Sequence, residues 1–418
     1  MTLRVPPALT HRSFRLLWSG LLISQVGSQM QHWALFWHVS LLSADPIAVS
    51  IIGGVRFAAI LSFSMIGGLT ADRFNRRTIM LVTQSTVMGI AALLGILTQL
   101  HLIEIWHIYV LSGIQAAAMA FDLPARQSLV PNLVPRTDLP SAFSLQSIAF
   151  NTGAVLGPAA SGLVIAYAAQ EYVYFINAIT FLAVIFALLL LGNVPQDVGA
   201  SAGKGLHGAV LDMRVGIQFI KNQPLILSSM IMDFFATLFA AANTLLPYFS
   251  RNILHVGEVA YGWLASAQSI GAVTVGLVIS QATTIRRQGR LLLGSVIVFG
   301  LATILFGMGR LYGVVFVALM LSGAADSVST IIRNTIRQLN TPDSLRGRMT
   351  GINQIFFNGG PQLGEVEAGG VAQLFGVPAA IVTGGVATIV MVAIVASRWP
   401  VLLRYDREET PLAESVSG

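Results

Sequence analysis

Along the chain, long apolar stretches alternate with short polar breaks. The stretches are too long for strands, and many are apolar on every face, unlike the one-sided helices of a water-exposed core. Runs such as Phe181–Leu191 and Leu291–Phe306 contain no charged residue. A helix crossing a bilayer needs roughly 20 such residues at about 1.5 Å rise each. On that measure the pattern predicts helices over 14–39, 47–71, 78–99, 105–130, 139–167, 172–192, 223–249, 259–283, 290–309, 312–336, 346–373 and 377–397. The one long polar connector, 196–221, is rich in glycine and falls mid-chain. It predicts an N-terminal six-helix half (1–195), a linker (196–221), a C-terminal half (222–400) and a polar tail (401–418).

Charge then orients the spans. Lys and Arg collect in every second loop: Arg4, Arg12 and Arg15, then Arg73, Arg76 and Arg77, then Arg136, then Lys204, Arg214 and Lys221. The series continues with Arg286, Arg287 and Arg290, then Arg337, Arg346 and Arg348, then Arg398, Arg404 and Arg407. The intervening loops hold only Arg251 and Arg310 beside acids such as Asp45, Glu104, Glu171 and Glu258. Positive residues accumulate on the cytoplasmic side, so the expectation is an even number of spans, with both termini and the linker cytoplasmic, in a bacterial inner membrane. A cleaved signal peptide fits poorly, because the first apolar segment runs to Leu42 without a small-residue cleavage site.

Composition narrows the classes further. Over 418 residues, 55% are hydrophobic and 10% charged, which no water-soluble domain matches. The net charge of +6 is spread over loops rather than gathered on one face, so nucleic acid is not an expected partner. With no cysteine there are no disulfides or thiolate sites, and no P-loop of the form G-x-x-x-x-G-K-[ST] occurs. His32 and His38 lie about 120° apart around their helix, so no metal site is expected. No clustered nucleophile or acid pair suggests an enzyme, no cofactor is expected, and the chain is expected to act as a monomer among lipid.

The halves repeat one another. Phe150–Gly157 reads F-N-T-G-A-V-L-G and Phe357–Gly364 reads F-N-G-G-P-Q-L-G, an offset of 207, after which Gly162 and Val164 meet Gly369 and Val371. Asp122 and Arg126 are answered more loosely by Asp326 and Arg333. Two parallel six-helix halves with a substrate site between them at mid-membrane are what a major-facilitator architecture requires.

Two motifs carry a family resemblance. Gly68-Leu69-Thr70-Ala71-Asp72-Arg73-Phe74-Asn75-Arg76-Arg77, after the second helix, resembles the major-facilitator loop signature G-x-x-x-D-R-x-G-R-[RK]. Asn75 replaces the usual Gly, tolerable because Asn also visits the left-handed conformation of a tight turn. The resemblance implies a conformational latch in which Asp72 faces the positive N-terminal end of helix 11. The plainer alternative is that the arginines only enforce topology. In helix 5, Gly153-x-x-x-Gly157-Pro158-x-x-Ser161-Gly162 resembles the G-x-x-x-G-P-x-x-G-G motif of major-facilitator exporters, with Ser161 in place of Gly. Small residues four apart admit a close backbone and Pro158 breaks the hydrogen-bond ladder; the alternative is an ordinary packing seam. With Phe121–Gln127, Leu133-Val134-Pro135 and Thr341–Arg348, the chain resembles the transmembrane secretion effectors, the group containing the enterobactin and several multidrug exporters. Helix 4 lacks the early Arg of many proton-driven relatives, reading Tyr109–Gln115 instead.

Ionisable residues within spans are functional candidates by default: Arg56, Asp122, Arg126, Asp233, Asp326, Arg333, Glu365 and Glu367. Arg126 and Arg333 can snorkel, and Asp122 and Asp326 sit four and seven residues from them, close enough for structural pairs. Asp233, Glu365 and Glu367 have no basic neighbour within a turn, which makes each a candidate proton carrier; the alternative is that one of them binds a cationic substrate directly. Glu365 and Glu367 point about 160° apart, and Glu365 is favoured because it stands at the repeat position of Pro158. In helix 1, Gln29, Gln31, His32 and His38 surround Trp33 and Trp37, which share a face and could stack an aromatic ligand or anchor at the interface. The expected function is secondary active export of small amphipathic molecules, siderophore- or drug-like, by proton antiport and alternating access. The alternative is a lipid or lysolipid flippase, or an importer, of the same fold.

Overall fold

A computed structural model of the chain describes residues 6–192, 194, 206–281, 287–342 and 345–406. All regular structure among these residues is helical. Twelve segments of membrane-crossing length run in order: α1 (Arg12–Leu42), α2 (Pro46–Arg73), α3 (Arg76–Gln99), α4 (Ile105–Leu129), α5 (Leu139–Tyr167), α6 (Gln170–Leu190), α7 (Pro224–Phe239, continued to Asn252), α8 (Glu258–Ser280), α9 (Gln288–Met308), α10 (Tyr312–Leu339), α11 (Arg346–Phe375) and α12 (Val377–Arg398). Ten are long and apolar enough to cross a membrane by length and composition. The two that fall short of that measure, α1 and α11, carry the most polar side chains, among them Gln29, Gln31, His32 and His38 in one and Glu365 and Glu367 in the other.

The spans match the expected segments to within a few residues, with two departures. The seventh is not continuous: after Phe239 it passes through a 3₁₀ turn at Ala242–Leu245 and resumes as Leu246–Asn252. Asn243, Thr244 and Pro247 stand at this point, and Pro247 cannot donate to the carbonyl of Asn243, but the span as a whole stays apolar, so averaged hydropathy does not reveal the break. The second departure is in the connector, where Leu206–Lys221 forms a helix instead of a flexible linker; residues 196–205 lie outside the described residues, as do Lys204, Arg286 and the tail beyond Asp406.

The chain divides by contacts into two units, Met1–Gly208 with Ser250–Ser266, and Ala209–Phe249 with Ala267–Gly418. In the first, α1 packs on α5 and α6, α2 on α4, and α3 on α4 and α6. In the second, the same pairings recur six helices on: α7 packs on α11 and α12, and α9 on α10 and α12. The sequence repeat is thus a repeat of packing.

Glycines set its closest contacts. A Cβ on Gly153 would lie 2.7 Å from Gln25 Cγ and one on Gly157 would lie 2.5 Å from Gln29 Cβ, so α5 rests on α1 at backbone distance. Their repeat partners Gly360 and Gly364 meet Phe234 O and Leu238 O of α7 in the same way. In hydrocarbon, where apolar side chains gain nothing by meeting one another rather than lipid, such close approach is a main source of helix association. The faces left over are apolar and exposed, as at Val82 (61%), Ile179 (64%) and Leu277 (63%), as lipid contact demands.

Adding one methyl group therefore separates crowded from open glycines. Gly157→Ala should destabilise the protein by about 1–3 kcal/mol through overpacking. Gly89→Ala, which meets nothing within 4 Å, should be neutral or slightly stabilising. Thermal unfolding in detergent checks this, and equal midpoints for the two variants would contradict the α1–α5 seam.

Candidate functional site

Helix α10 places Asp326, Thr330, Arg333, Asn334 and Arg337 three or four residues apart, a polar stripe on one side of an otherwise apolar helix. Arg333 is 7% exposed. Its Nη1 lies 2.7 Å from Asp233 Oδ1 on α7, its Nη2 donates to Thr330 Oγ1 at 2.8 Å, and Asp326 Oδ1 is 3.8 Å from the same Nη2. Arg337 Nη2 donates to Asn334 Oδ1 at 2.8 Å. A cavity of about 230 Å³ opens beside them, lined by Ser229, Met230, Asp233, Thr330, Arg333, Asn334, Arg337 and Asn353.

This arrangement corrects two expectations. Asp233 is not isolated, because its partner comes from a helix a hundred residues away in sequence, beyond the reach of any i,i+4 count. Arg333 does not snorkel, since its guanidinium is held inward by the ion pair with Asp233 and the hydrogen bond to Thr330 Oγ1. The pairing of Asp326 with Arg333 is the looser of the two, with Asp326 46% exposed at its side chain.

The first unit has a related arrangement. Asp122, fully buried, accepts hydrogen bonds from Thr83 Oγ1 at 2.9 Å and Gln84 Nε2 at 2.8 Å of α3, while Arg126 Nε stands 3.8 Å away. Arg126 lines a pocket of about 300 Å³ between α1, α4 and α5. Elsewhere in this unit Arg56 Nη1 donates to His32 Nδ1 at 2.7 Å, so the imidazole nitrogen facing it is the unprotonated one.

Trp33 and Trp37 are 9% and 2% exposed, and neither is open for stacking a ligand or anchoring at an interface. The Tyr261 ring lies 4.8 Å from Trp37, and its hydroxyl donates to Trp33 O at 2.9 Å. Arg251 sits over Trp37 and donates to Ser40 O.

Of the loop signature, Gly68 to Arg73 belong to the last turns of α2 rather than to a loop. Asp72 and Arg73 are exposed. Asn75 has φ −62° and ψ 115°, not the left-handed conformation expected of it; it is the N-cap of α3, accepting from Arg77 N at 3.0 Å and Thr78 N at 3.3 Å. Asn serves here because its side-chain oxygen occupies orphan amide protons that Gly could not. Arg76 donates to Ser128 O at the end of α4, and Arg77 to Leu188 O and Leu189 O at the end of α6. Both therefore bond helix C-terminal carbonyls, where a cation is favoured by the helix dipole.

The helix-5 motif serves two partners. Gly153 and Gly157 face α1, while Gly162 faces the first turns of α8, where a Cβ would meet Gly262 Cα at 3.1 Å. Ser266 Oγ donates to Val155 O at 2.7 Å along the same seam. Glu365 and Glu367 on α11 are both half-buried, and neither lines the Asp233 cavity. The sequence reading passed over Ser229, Asn334, Arg337 and Asn353; the three- and four-residue spacing along α10 was the available signal for two of them.

Comparison with known proteins follows from this geometry. The model of the transmembrane secretion effector family matches residues 5–412. The MFS-type transporter YfiS of Bacillus subtilis strain 168 is 27% identical over 392 residues, covering 87% of this chain and 89% of that protein. The enterobactin exporter EntS of Escherichia coli strain K12 is 24% identical over 409 residues, covering 96% and 95%. Among solved structures, a bacterial homologue of the human lysosomal transporter Spinster superposes with TM-score 0.71 at 13% identity, covering 96% of this chain and 98% of that one. The nucleoside transporter NupG gives 0.71 at 14% identity, covering 93% and 99%. At these identities the superpositions speak to the fold alone. The relatives are membrane transporters, not enzymes.

The ion pair predicts a non-additive mutant cycle. Asp233→Asn leaves Arg333 buried with only a distant acid and should cost about 3 kcal/mol. In the double variant Asp233→Asn/Arg333→Gln most of that loss should be recovered, since no charge is stranded. Thermal unfolding of the four proteins in one detergent measures the coupling; additive losses would mean that the pair does not form.

Proposed function

The chain belongs to the transmembrane secretion effector family of major-facilitator transporters, and from that premise we propose that it is a secondary active exporter of small amphipathic molecules, siderophore- or drug-like, driven by proton antiport. The observation that carries the coupling is the buried Asp233–Arg333 pair beside a cavity within the spans. Charges at that depth are costly, by roughly 2.5–3.5 kcal/mol each on insertion scales. A pair that only held two helices together could be replaced by apolar residues without loss. A proton arriving at Asp233 must break the pair and release Arg333, which gives α7 and α10 two arrangements that a proton can select between. Glu365 is the second coupling candidate, and Glu367, Asp326, Asp122 and Arg56 stand behind it.

Export rather than uptake is supported by the enterobactin exporter among the relatives and by the close helix-5 seam at Gly162. Asp72 is assigned the latch role that the loop signature implies, with Arg76 and Arg77 bracing the ends of α4 and α6 beneath it. The two halves at 1–195 and 222–400, the cytoplasmic linker between them and a monomeric working unit complete the reading.

In proteoliposomes with an imposed pH gradient, the protein should expel a lipophilic dye against its concentration gradient, and an uncoupler should stop it. Glu365→Gln or Asp233→Asn should abolish uphill efflux while leaving exchange down the dye's own gradient, because alternating access needs no proton. Asp72→Asn should fold but lose most of both activities. Uncoupler-resistant pumping would remove antiport. Separately, reporter fusions at Lys221 and Glu171 should report opposite sides of the membrane, inside and outside, and equal signals would overturn the orientation.

A further inference from the structure

We propose that the pocket between α1, α4 and α5 of the first unit is an anion-recognition site, which takes the acidic group of a small amphipathic substrate on Arg126 and the side-chain amide of Gln146. The inference rests on the transport reading above and adds the sign of the substrate's charge.

It follows from comparing the two repeat-related pockets. Leu123, Arg126, Gln127 and Gln146 line the first; Thr330, Arg333, Asn334 and Asn353, each 207 residues on, line the second. The scaffold and the arginine are thus shared. The partner of the arginine is not. The seams that Gly153 and Gly157 make with Gln25 and Gln29 are matched by those of Gly360 and Gly364 with Phe234 and Leu238. On this register Asp233 corresponds to Ser24, a hydroxyl where the second unit has a carboxylate.

Arg333 therefore has its charge met at 2.7 Å, whereas Arg126 has Asp122 Oδ2 of its own helix at 3.8 Å from Nε, too far for a hydrogen bond; Asp122 Oδ1 accepts from Thr83 and Gln84, and Oδ2 is buried with no hydrogen-bond partner. Among the described residues Arg126 makes no hydrogen bond, and Gln146 Nε2 is buried without an acceptor. Two donors, one of them a guanidinium held only in a long ion pair, thus line one pocket without a hydrogen-bond acceptor. A carboxylate, sulfonate or phosphate supplies the missing acceptors, and a charge-assisted bond is about twice as strong as a neutral one.

The rest of the lining suits what such a group would be attached to. Leu21, Leu123, Ala149 and Phe150 are apolar, the Trp18 ring is fixed by its Nε1 bond to Leu145 O at 2.8 Å, and Gln25, Gln127, Ser147 and Asn151 are neutral polar groups beside them. At about 300 Å³ the volume lies at the lower end of small-molecule sites, roughly 300–1,000 Å³. A ring-bearing organic acid fits this chemistry; a cation would meet Arg126.

The test uses the full-length protein in phosphatidylcholine nanodiscs, with empty discs as baseline, and three isosteric probes: 1-naphthoate, 1-naphthamide and 1-naphthylmethylammonium. Equilibrium dialysis should show naphthoate held about tenfold more tightly than the amide, with the cation weakest. Arg126→Gln should bring the naphthoate-to-amide ratio to near one, and so should Ser24→Asp, which introduces the second unit's acid and leaves Arg126 in place. Arg126→Lys should retain the preference, as should Arg310→Gln, which removes one positive charge from an exposed loop. Equal binding of the three probes, no binding of any, a preference for the cation, or an anion preference that survives Arg126→Gln each overturn the proposal. A protein that pumps dye but shows no anion preference loses this site and keeps the export reading. One that holds naphthoate through Arg126 yet does not pump keeps the site and loses export.

Discussion

Hydrocarbon cannot hydrogen-bond, and the arrangement of this protein follows from that constraint. Each lipid-facing backbone amide within a span must be satisfied by its own helix, and a break such as that at Ala242–Leu245 is tolerated only where it is buried in protein. Polar side chains face the same requirement and meet it by bonding to one another across helix boundaries. Gln31 of α1 accepts from Asn177 of α6 at 2.7 Å and reaches Gln115 of α4, while His38 of α1 and Gln170 of α6 converge on Tyr174. Asp122 ties α4 to α3 through Thr83 and Gln84. Single bonds of this kind contribute only about 0.6 kcal/mol each in membranes, so they specify which faces meet more than they hold them together. Backbone contact at the glycine seams supplies the rest.

The repeat shows what can change on such a scaffold. The helix pairings and the paired seam glycines are kept in both units, since an added Cβ at any of those seams would collide. Side chains that face the pockets are under no such restraint and have diverged. Arg126 and Arg333 occupy the same place, yet Arg333 is met at 2.7 Å by a carboxylate from the neighbouring helix, whereas the corresponding position of the first unit is Ser24 and Arg126 has Asp122 of its own helix at 3.8 Å. Packing preserves the frame, and the lining of each cavity records what each unit is asked to do.

The same division explains what could be read from the chain alone. Spans, their number and the repeat were legible because hydropathy and small-residue spacing are local and periodic. The break in α7 was not, because Asn243, Thr244 and Pro247 are too few to interrupt the apolar average of the span. Asn75 stood in a recognised signature, but its place there suggested a turn conformation when its oxygen in fact caps α3. Asp233 looked solitary because sequence spacing sees one helix at a time, and its partner sits on another. Trp33 and Trp37 were correctly grouped on one face; what covers that face, Tyr261, lies more than two hundred residues away. Pairwise chemistry between distant segments was where the reading ran out.

A cation held in a close ion pair and one held only in a long one have different uses in a transporter. A guanidinium already paired with a carboxylate is a conditional site: it becomes available only when a proton or a ligand breaks the pair, so its occupancy is tied to a second event. One left without a close acid is unconditional, and binds an anion whenever the pocket is open. Coupling requires the first kind, because free energy passes between proton and substrate only through a step that one of them controls. Selectivity is better served by the second, because a charge waiting in a partly dry pocket rejects both neutral and cationic molecules of the same shape. Had both pockets kept their acid, neither would discriminate by charge; had both lost it, nothing would link binding to the gradient. Under the proposed antiport reading, the difference between Ser24 and Asp233 would let one repeated scaffold recognise a molecule in one unit and couple it to the proton in the other.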